Sequence, residues 1–341
     1  MPENKRMNDL RDKTALVTGA TGLIGSNLVE RLLKEGARVI AIGRNEKKMK
    51  TIFEDKLDNT NFSYMAADIS EKIPGKAGRV DFIFHAASPI AGQEIRELPI
   101  NVIEANLSGI KNCLEYLRCQ KEKGGVTGRL IVFSSITVYG NEILENLFPE
   151  GKLVTEYDTR IADSLDSVSA PYSESKRMAE VIAQAYYRQY GIDSVIVRIG
   201  YVYGYTKQYP NTAFYEFIGK AVRGENIILN HSGMARRDNI YISDVINALI
   251  LLCMKGEAGE VYNVSSAGEK GNFKAIDEMA ALIASSANCY GKHVNVIKVQ
   301  KDEKRIQGVV VDNRKLKALG WSLEVNIEEG ILQTVQNYLQ K

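Results

Sequence analysis

Through roughly the first two hundred residues, short runs of β-branched and aliphatic side chains alternate with stretches whose apolar positions recur every three or four residues. This is the rhythm of strands joined by amphipathic crossover helices. The strand candidates, in order, are residues 14–18, 38–42, 61–65, 80–85, 129–134 and 194–198, and the helical patterns among them cover 24–35, 101–120 and 172–190. Strands separated by helices of that length pair in parallel, which predicts an α/β fold with a doubly wound parallel sheet of Rossmann type over residues 1–200. After Gly200 the rhythm changes to helical pieces near 214–223, 244–254, 275–287 and 326–339, separated by short strands and loops. A smaller C-terminal lobe over 201–341 is predicted, mainly for substrate, with strand or helix returns to the first domain.

Length and charge narrow the classes. A chain of 341 residues can bury a sizeable core and form two domains or one domain with a lobe. Its 44 basic and 42 acidic residues leave a net charge of +2. That balance creates no broad field for nucleic acid and points to a small-molecule partner held by local sites. The longest apolar run, 245–254, is far shorter than the ~18 residues a bilayer-spanning helix needs. Residues 1–13 are polar rather than signal-like, so no membrane partner and a cytoplasmic location are expected. Cys113, Cys119, Cys253 and Cys289 show no C-x-x-C or Cys/His spacing. Reduced thiols, no disulfide and no metal are therefore expected.

The first strand runs into Gly19-Ala20-Thr21-Gly22-Leu23-Ile24-Gly25 and then a helix. Glycines at a strand-to-helix turn let the backbone approach a pyrophosphate, and the free amides and dipole of the helix start attract the anion. Gly25 additionally permits close helix–strand packing. This predicts a dinucleotide site made by Gly19, Thr21, Gly22, Leu23, Ile24 and Gly25. An NAD-selective site places an acid about 20 residues further on, to accept a ribose hydroxyl. This chain has Gly43-Arg44-Asn45 there, and a guanidinium suits a 2′-phosphate, so the expected cofactor is NAD(P), with NADP favoured over NAD.

The fifth strand ends in Ser134-Ser135-Ile136-Thr137-Val138-Tyr139-Gly140, and the helix near Pro171 carries Tyr172-Ser173-Glu174-Ser175-Lys176. The i,i+4 spacing puts Tyr172 and Lys176 on one helical face, where the ammonium can lower the phenol from its ordinary pKa of about 10. A phenolate near neutral pH can accept a proton from a substrate hydroxyl while hydride passes from the same carbon to nicotinamide. Tyr172 and Lys176 also adjoin the cofactor in such a site.

The phosphate loop, the Ser135…Tyr172-x-x-x-Lys176 set and Arg237-Asp238-Asn239-Ile240-Tyr241-Ile242-Ser243-Asp244-Val245 together resemble the extended short-chain dehydrogenase/reductase superfamily, in its NAD-dependent epimerase/dehydratase family. The resemblance covers nearly the whole chain. It implies that Ser135, Tyr172 and Lys176 are catalytic, that Asp68 and Ile69 of Ala-Asp-Ile and Ala86 and Ala87 after His85 contact the cofactor, and that Asn106 supports the active-site helix. His85 reads equally as a strand-end packing residue. Arg237 resembles the arginine that grips the diphosphate of a nucleoside-diphosphate sugar, the alternative being a surface ion pair with Asp238 or Asp244. Ser135, Thr137, Tyr201 and Arg237 are thus the substrate candidates, although many relatives carry asparagine where this chain has Tyr201.

The reaction is narrowed by absences. Family 4,6-dehydratases carry a Thr-Asp-Glu set where this chain has Ser135, Ile136 and Thr137, and related decarboxylases place a glutamate at the position of Thr137. Isoleucine and threonine cannot act as that acid and base. Epimerisation or reduction of a 4-keto sugar nucleotide is the expected activity. The alternatives are a decarboxylase or dehydratase of the same family, a dihydroflavonol-type carbonyl reductase and, last, a non-catalytic NADP-binding regulator. A homodimer through the helices at 101–120 and 172–190 is expected, as in relatives. Residues 141–170 stretch the Ser135–Tyr172 separation to 37 residues. They are expected to form a lid, with Leu144, Leu147, Phe148, Leu153 and Val154 packed over the sugar and Glu156, Asp158, Asp163 and Asp166 facing solvent.

Overall fold

The computed structural model describes residues 10–89, 92–125, 127–140, 153–158, 162–299 and 310–340. Contacts divide the chain into two compact units. The first comprises Met1–Ser134, Asp166–Val197 and Ile246–Tyr262; the second comprises Ser135–Leu165, Arg198–Val245 and Asn263–Lys341. Residues 246–262 group with the first unit, a return of the kind expected, and 135–165 group with the second.

The strands of the large sheet are β1 (Thr14–Thr18), β2 (Arg38–Gly43), β3 (Phe62–Ala66), β4 (Phe82–His85), β5 (Arg129–Ser135), β6 (Ser194–Ile199) and, later in the chain, β10 (Val261–Val264). Their spatial order is β10-β6-β5-β4-β1-β2-β3. β1 pairs in parallel with both β2 and β4, so the chain reverses its direction of travel across the sheet at β1/β4. In a doubly wound α/β fold, ligands lie beyond the carboxyl ends of the strands at that reversal.

Helices α1 (Leu23–Lys34), α2 (Glu46–Ile52), α3 (Gly92–Glu97), α4 (Pro99–Gly124) and α5 (Ala170–Tyr190) accompany the first six strands. α4 starts two residues before its apolar pattern because proline is well suited to the first helical turn, and it runs on through the polar Lys121-Glu122-Lys123. Ile110, Cys113, Leu114 and Leu117 of α4 and Ala179 and Ala183 of α5 pack with Leu16, Ile83, Leu130 and Val132 of the sheet. Burial of these apolar faces is the main stabilising contribution in this unit. It also fixes α5 in rotation, and with it Tyr172 and Lys176.

In the second unit, β7 (Tyr201–Tyr203) lies parallel to β9 (Arg236–Tyr241), which pairs antiparallel with β11 (Phe273–Ala275); β8 (Ile227–Leu229) pairs with β12 (Val296–Lys298). The helices after β7 are α6 (Ala213–Arg223), α7 (Ile242–Lys255), α8 (Ile276–Asn288), α9 (Arg314–Ala318) and α10 (Ile327–Leu339). Among the described residues no helix is long and apolar enough to cross a membrane.

The insertion departs from expectation. Leu144, Leu147 and Phe148 lie outside the described residues. Val154 is buried in a cluster with Ile136, Val138, Tyr139 and Val311, and its backbone exchanges hydrogen bonds with Val310 and Asp312 at 3.0 and 2.8 Å. Glu156 and Asp163 are buried rather than solvent-facing, while Asp166 is exposed. Glu156 turns inward because its carboxylate accepts the Asn263 N–H at 2.8 Å. A buried acid needs such a partner, and charge patterning along a sequence does not show where partners lie.

Candidate active site

The turn from β1 into α1 is shaped by close backbone approach. Gly19 has φ +61°, and a β-carbon there would stand 2.7 Å from the Ala86 carbonyl carbon and the Ala87 nitrogen at the end of β4. A β-carbon on Gly25 would overlap the Gly19 carbonyl and come within 2.9 Å of the Ala20 α-carbon. Both glycines are therefore required sterically. Gly22, the residue preceding α1, offers no side-chain cap, and the first turn carries no acid. Neither Gly22 nor the first turn of α1, with half-buried Leu23 and Ile24, supplies an anion to the first amides, which fits a pyrophosphate.

Thr18, missed in the sequence, and His85, weighed there as a packing residue, brace this cradle. Thr18 Oγ1 lies 2.9 Å from His85 Nδ1 and accepts the Ala87 N–H at 3.2 Å, so β1 and β4 are tied together where Gly19 passes. Burial, reinforced by the Lys176 charge, pushes the His85 imidazole down to about 3, which keeps it neutral and makes it a strut. Arg44 is exposed at the end of β2. Asp68 accepts the Ser70 hydroxyl at 2.7 Å and the Ser70 N–H at 2.9 Å, and these bonds, with a smaller contribution from Arg44, hold its carboxyl below the usual range. The Ile69 side chain points into the core, and its carbonyl accepts from Asn112 at 3.0 Å. Contact of Ile69 with a cofactor would fall to its N–H.

On α5, Lys176 is 4% exposed, donates to the Phe133 carbonyl at 2.8 Å and stands 5.8 Å from the centre of the Tyr172 ring. Burial pushes the ammonium down to about 7. Asn106 of α4 donates to Ser175 Oγ at 2.8 Å, and Ser175 in turn donates to the Pro171 carbonyl at 2.6 Å, so the turn bearing Tyr172 is held from the neighbouring helix. Ser134 donates to Glu180 at 2.6 Å, both buried. Glu180 follows Lys176 by four residues on the same helical face, a spacing that could have revealed it.

In the second unit, Ser135 is 8% exposed and heads a short 3-10 turn, Ile136–Tyr139. Its Oγ accepts both the N–H and the hydroxyl of Thr137, at 3.2 and 3.0 Å. Ile136 is buried in the apolar cluster. Tyr139 donates to Asn263 and accepts from buried Arg198, each at 2.8 Å, which anchors the turn. Tyr201 and Arg237 come together across β7 and β9, the guanidinium lying 5.0 Å over the Tyr201 ring. Asp238 and Asp244 are both fully buried and accept bonds elsewhere, so neither makes the surface ion pair weighed for Arg237. Among the described residues no cluster of three or more His, Cys, Asp or Glu side chains is placed to hold a metal.

The sequence profile described as the NAD dependent epimerase/dehydratase family matches residues 15–265. UDP-glucuronic acid decarboxylase 1 of Xenopus tropicalis is 28% identical over 345 residues, covering all of this chain and 75% of the relative. dTDP-D-glucose 4,6-dehydratase of Mus musculus is 25% identical over 96% of this chain and 88% of its own. Among solved structures, the Thermus thermophilus UDP-glucose 4-epimerase complex with NAD superimposes with a TM-score of 0.76 at 25% identity, covering 95% of this chain and 98% of the other.

Proposed function

The chain belongs to the NAD-dependent epimerase/dehydratase family, and from that membership we propose that it interconverts or reduces nucleoside-diphosphate sugars at C4, with Tyr172 as general base when the C4 hydroxyl is oxidised and as general acid when the ketone is reduced. It is an NAD(P)-dependent enzyme of the extended short-chain dehydrogenase type. The observation that carries the reading is the buried Lys176, held by the Phe133 carbonyl at 2.8 Å beside Tyr172. Held there by that hydrogen bond, Lys176 in its charged form favours the Tyr172 phenolate, which can take the proton of a sugar hydroxyl, while burial works against the charge and pushes the ammonium down to about 7. Ser135 orients the same oxygen, and Arg237 with Tyr201 receives the diphosphate. Gly19, Thr21, Gly22, Leu23, Ile24 and Gly25 hold the dinucleotide, whose nicotinamide supplies the hydride exchange. Epimerisation and keto reduction are favoured over dehydration and decarboxylation because Ile136 is buried in an apolar cluster and the Thr137 hydroxyl is bonded to Ser135. Neither provides a carboxylic acid or base.

The test is to incubate the protein with UDP-hexoses, UDP-hexuronates and 4-keto-6-deoxy sugar nucleotides and identify the products by chromatography and NMR. A C4 epimer, or a 4-hydroxy product formed with stoichiometric NADPH consumption, is expected. Carbon dioxide release or a newly formed 4-keto-6-deoxy sugar overturns the assignment. Tyr172→Phe should lower kcat by about a thousandfold with cofactor affinity nearly unchanged, since the ring remains and only the proton-transfer oxygen is lost.

Two finer readings accompany it. NADP is favoured over NAD because Arg44 is exposed at the strand end with no acid in the usual ribose position. A homodimer is favoured because Ile100 of α4 and Met178 and Val181 of α5 are 62%, 48% and 55% exposed, an apolar set suited to pairing with a second copy. Light scattering at micromolar concentration should return twice the 37.9 kDa chain mass; the single-chain mass refutes the dimer.

A further inference from the structure

Two adjacent arginines on β9 meet different fates. Arg236 donates to the Phe273 carbonyl at 2.8 Å, stacks on the Phe273 ring and pairs with Glu278 at 3.5 Å. Arg237 has no carboxylate within ion-pair distance among the described residues. One of its N–H groups donates to the Arg236 carbonyl at 3.0 Å, and the guanidinium plane rests over Tyr201.

The backbone carrying Arg237 is gripped by its two successors. Asp238, 0% exposed, accepts the Ser266 hydroxyl and the N–H groups of Gly268 and Val311, the latter two at 3.3 Å. Asn239, also buried, donates to the Arg237 carbonyl at 2.9 Å and to the Asn272 carbonyl at 3.0 Å, while its own N–H donates to the same Asn272 oxygen. Three chain segments, 266–268, 272 and 311, therefore meet on two side chains whose common neighbour is Arg237.

We propose that Asp238 and Asn239 are positioning residues that hold the Arg237 backbone rigid and spend no charge on its side chain, leaving the guanidinium presented on Tyr201 for a diphosphate. The carboxylate next to the arginine in sequence would neutralise it if it paired with it. Turned into the core and saturated by three donors, it instead fixes the strand. A binding group held before the ligand arrives loses less conformational freedom on binding, so the effect belongs to affinity and not to the chemical step.

This inference rests on the proposed diphosphate role of Arg237, and a double-mutant cycle on the full-length protein separates the two. UDP is titrated calorimetrically into the parent, Arg237→Ala, Asp238→Asn, Ser266→Ala and the Arg237→Ala/Asp238→Asn double variant. Thermal unfolding and cofactor titration of each serve as controls. Asp238→Asn should weaken UDP by about tenfold, and Ser266→Ala, the milder change, by about threefold, comparable to losing part of one charge-assisted bond. In the Arg237→Ala background, Asp238→Asn should cost nothing further, because its effect passes through the arginine. With the substrate found above, KM should rise while kcat stays within about twofold and cofactor affinity holds. If Arg237→Ala weakens UDP but the Asp238 and Ser266 variants do not, or if their losses add to that of Arg237→Ala, the positioning role is overturned and the diphosphate reading stands. If Arg237→Ala leaves UDP affinity unchanged, the diphosphate reading itself falls, and the positioning role with it. Should Asp238→Asn fail to fold, Ser266→Ala, alone and combined with Arg237→Ala, carries the same comparison.

Discussion

The phosphate loop and the Arg237 strand are both suited to an anion, yet they are made from opposite materials. The loop works by removing side chains: Gly19 and Gly25 let backbone meet backbone, and the amides at the start of α1 supply the positive end. The strand works by adding them: a guanidinium, an aromatic platform and two buried polar residues joined to distant segments. A site made of backbone tolerates no added carbon, whereas a site made of side chains degrades by steps as each support is removed. α5 shares the second character, since the buried Lys176 depends on the Phe133 carbonyl for its hydrogen bond.

The largest expected effect breaks the loop. Gly19→Ala places a β-carbon 2.7 Å from the end of β4 in a left-handed conformation. It should abolish measurable NADPH binding, weakening it by about a hundredfold or more, and should destabilise the fold by roughly 2 kcal/mol or more. Fluorescence titration and denaturant unfolding read the two effects. Retention of parent-like affinity would mean that the backbone approach does not govern the site.

A smaller effect, of opposite sign on stability, probes the buried charge. The folded Lys176 sits at about 7 against an unfolded value near 10.4, so between those pH values the unfolded chain binds the extra proton. Stability of the cofactor-free protein should therefore rise as pH increases from 7 toward 10. Lys176→Met should remove that rise and stabilise the fold at pH 7 by up to a few kcal/mol while eliminating turnover. Unfolding curves at pH 7 and 9 provide the check, and a variant less stable than the parent at pH 7 contradicts it.

The smallest effect concerns Arg44, which is exposed and is proposed to meet one phosphate only. Arg44→Ala should cost NADPH about tenfold in affinity and NADH almost nothing, erasing the preference without touching the fold. Equal affinities for the two cofactors in the parent would count against the expected selectivity.

The contrast also explains what could be read from the chain alone. Short apolar runs located six strands, and a three- to four-residue period located the principal helices, to within a few residues, because a strand buried on both faces and a helix buried on one each leave that pattern locally. The glycine turn and the Tyr172–Lys176 spacing were legible for the same reason: each is a contact between residues close in sequence, or the absence of a side chain at one position. Tertiary structure alone decided that Thr18 braces His85, that Ser134 meets Glu180, and that Glu156 turns inward to the Asn263 N–H. It also decided that Asp238, adjacent to Arg237, faces Ser266 and Val311 instead. A buried polar group must find a partner, and partners 28 to 107 residues away are brought within reach only by the packing of the whole fold.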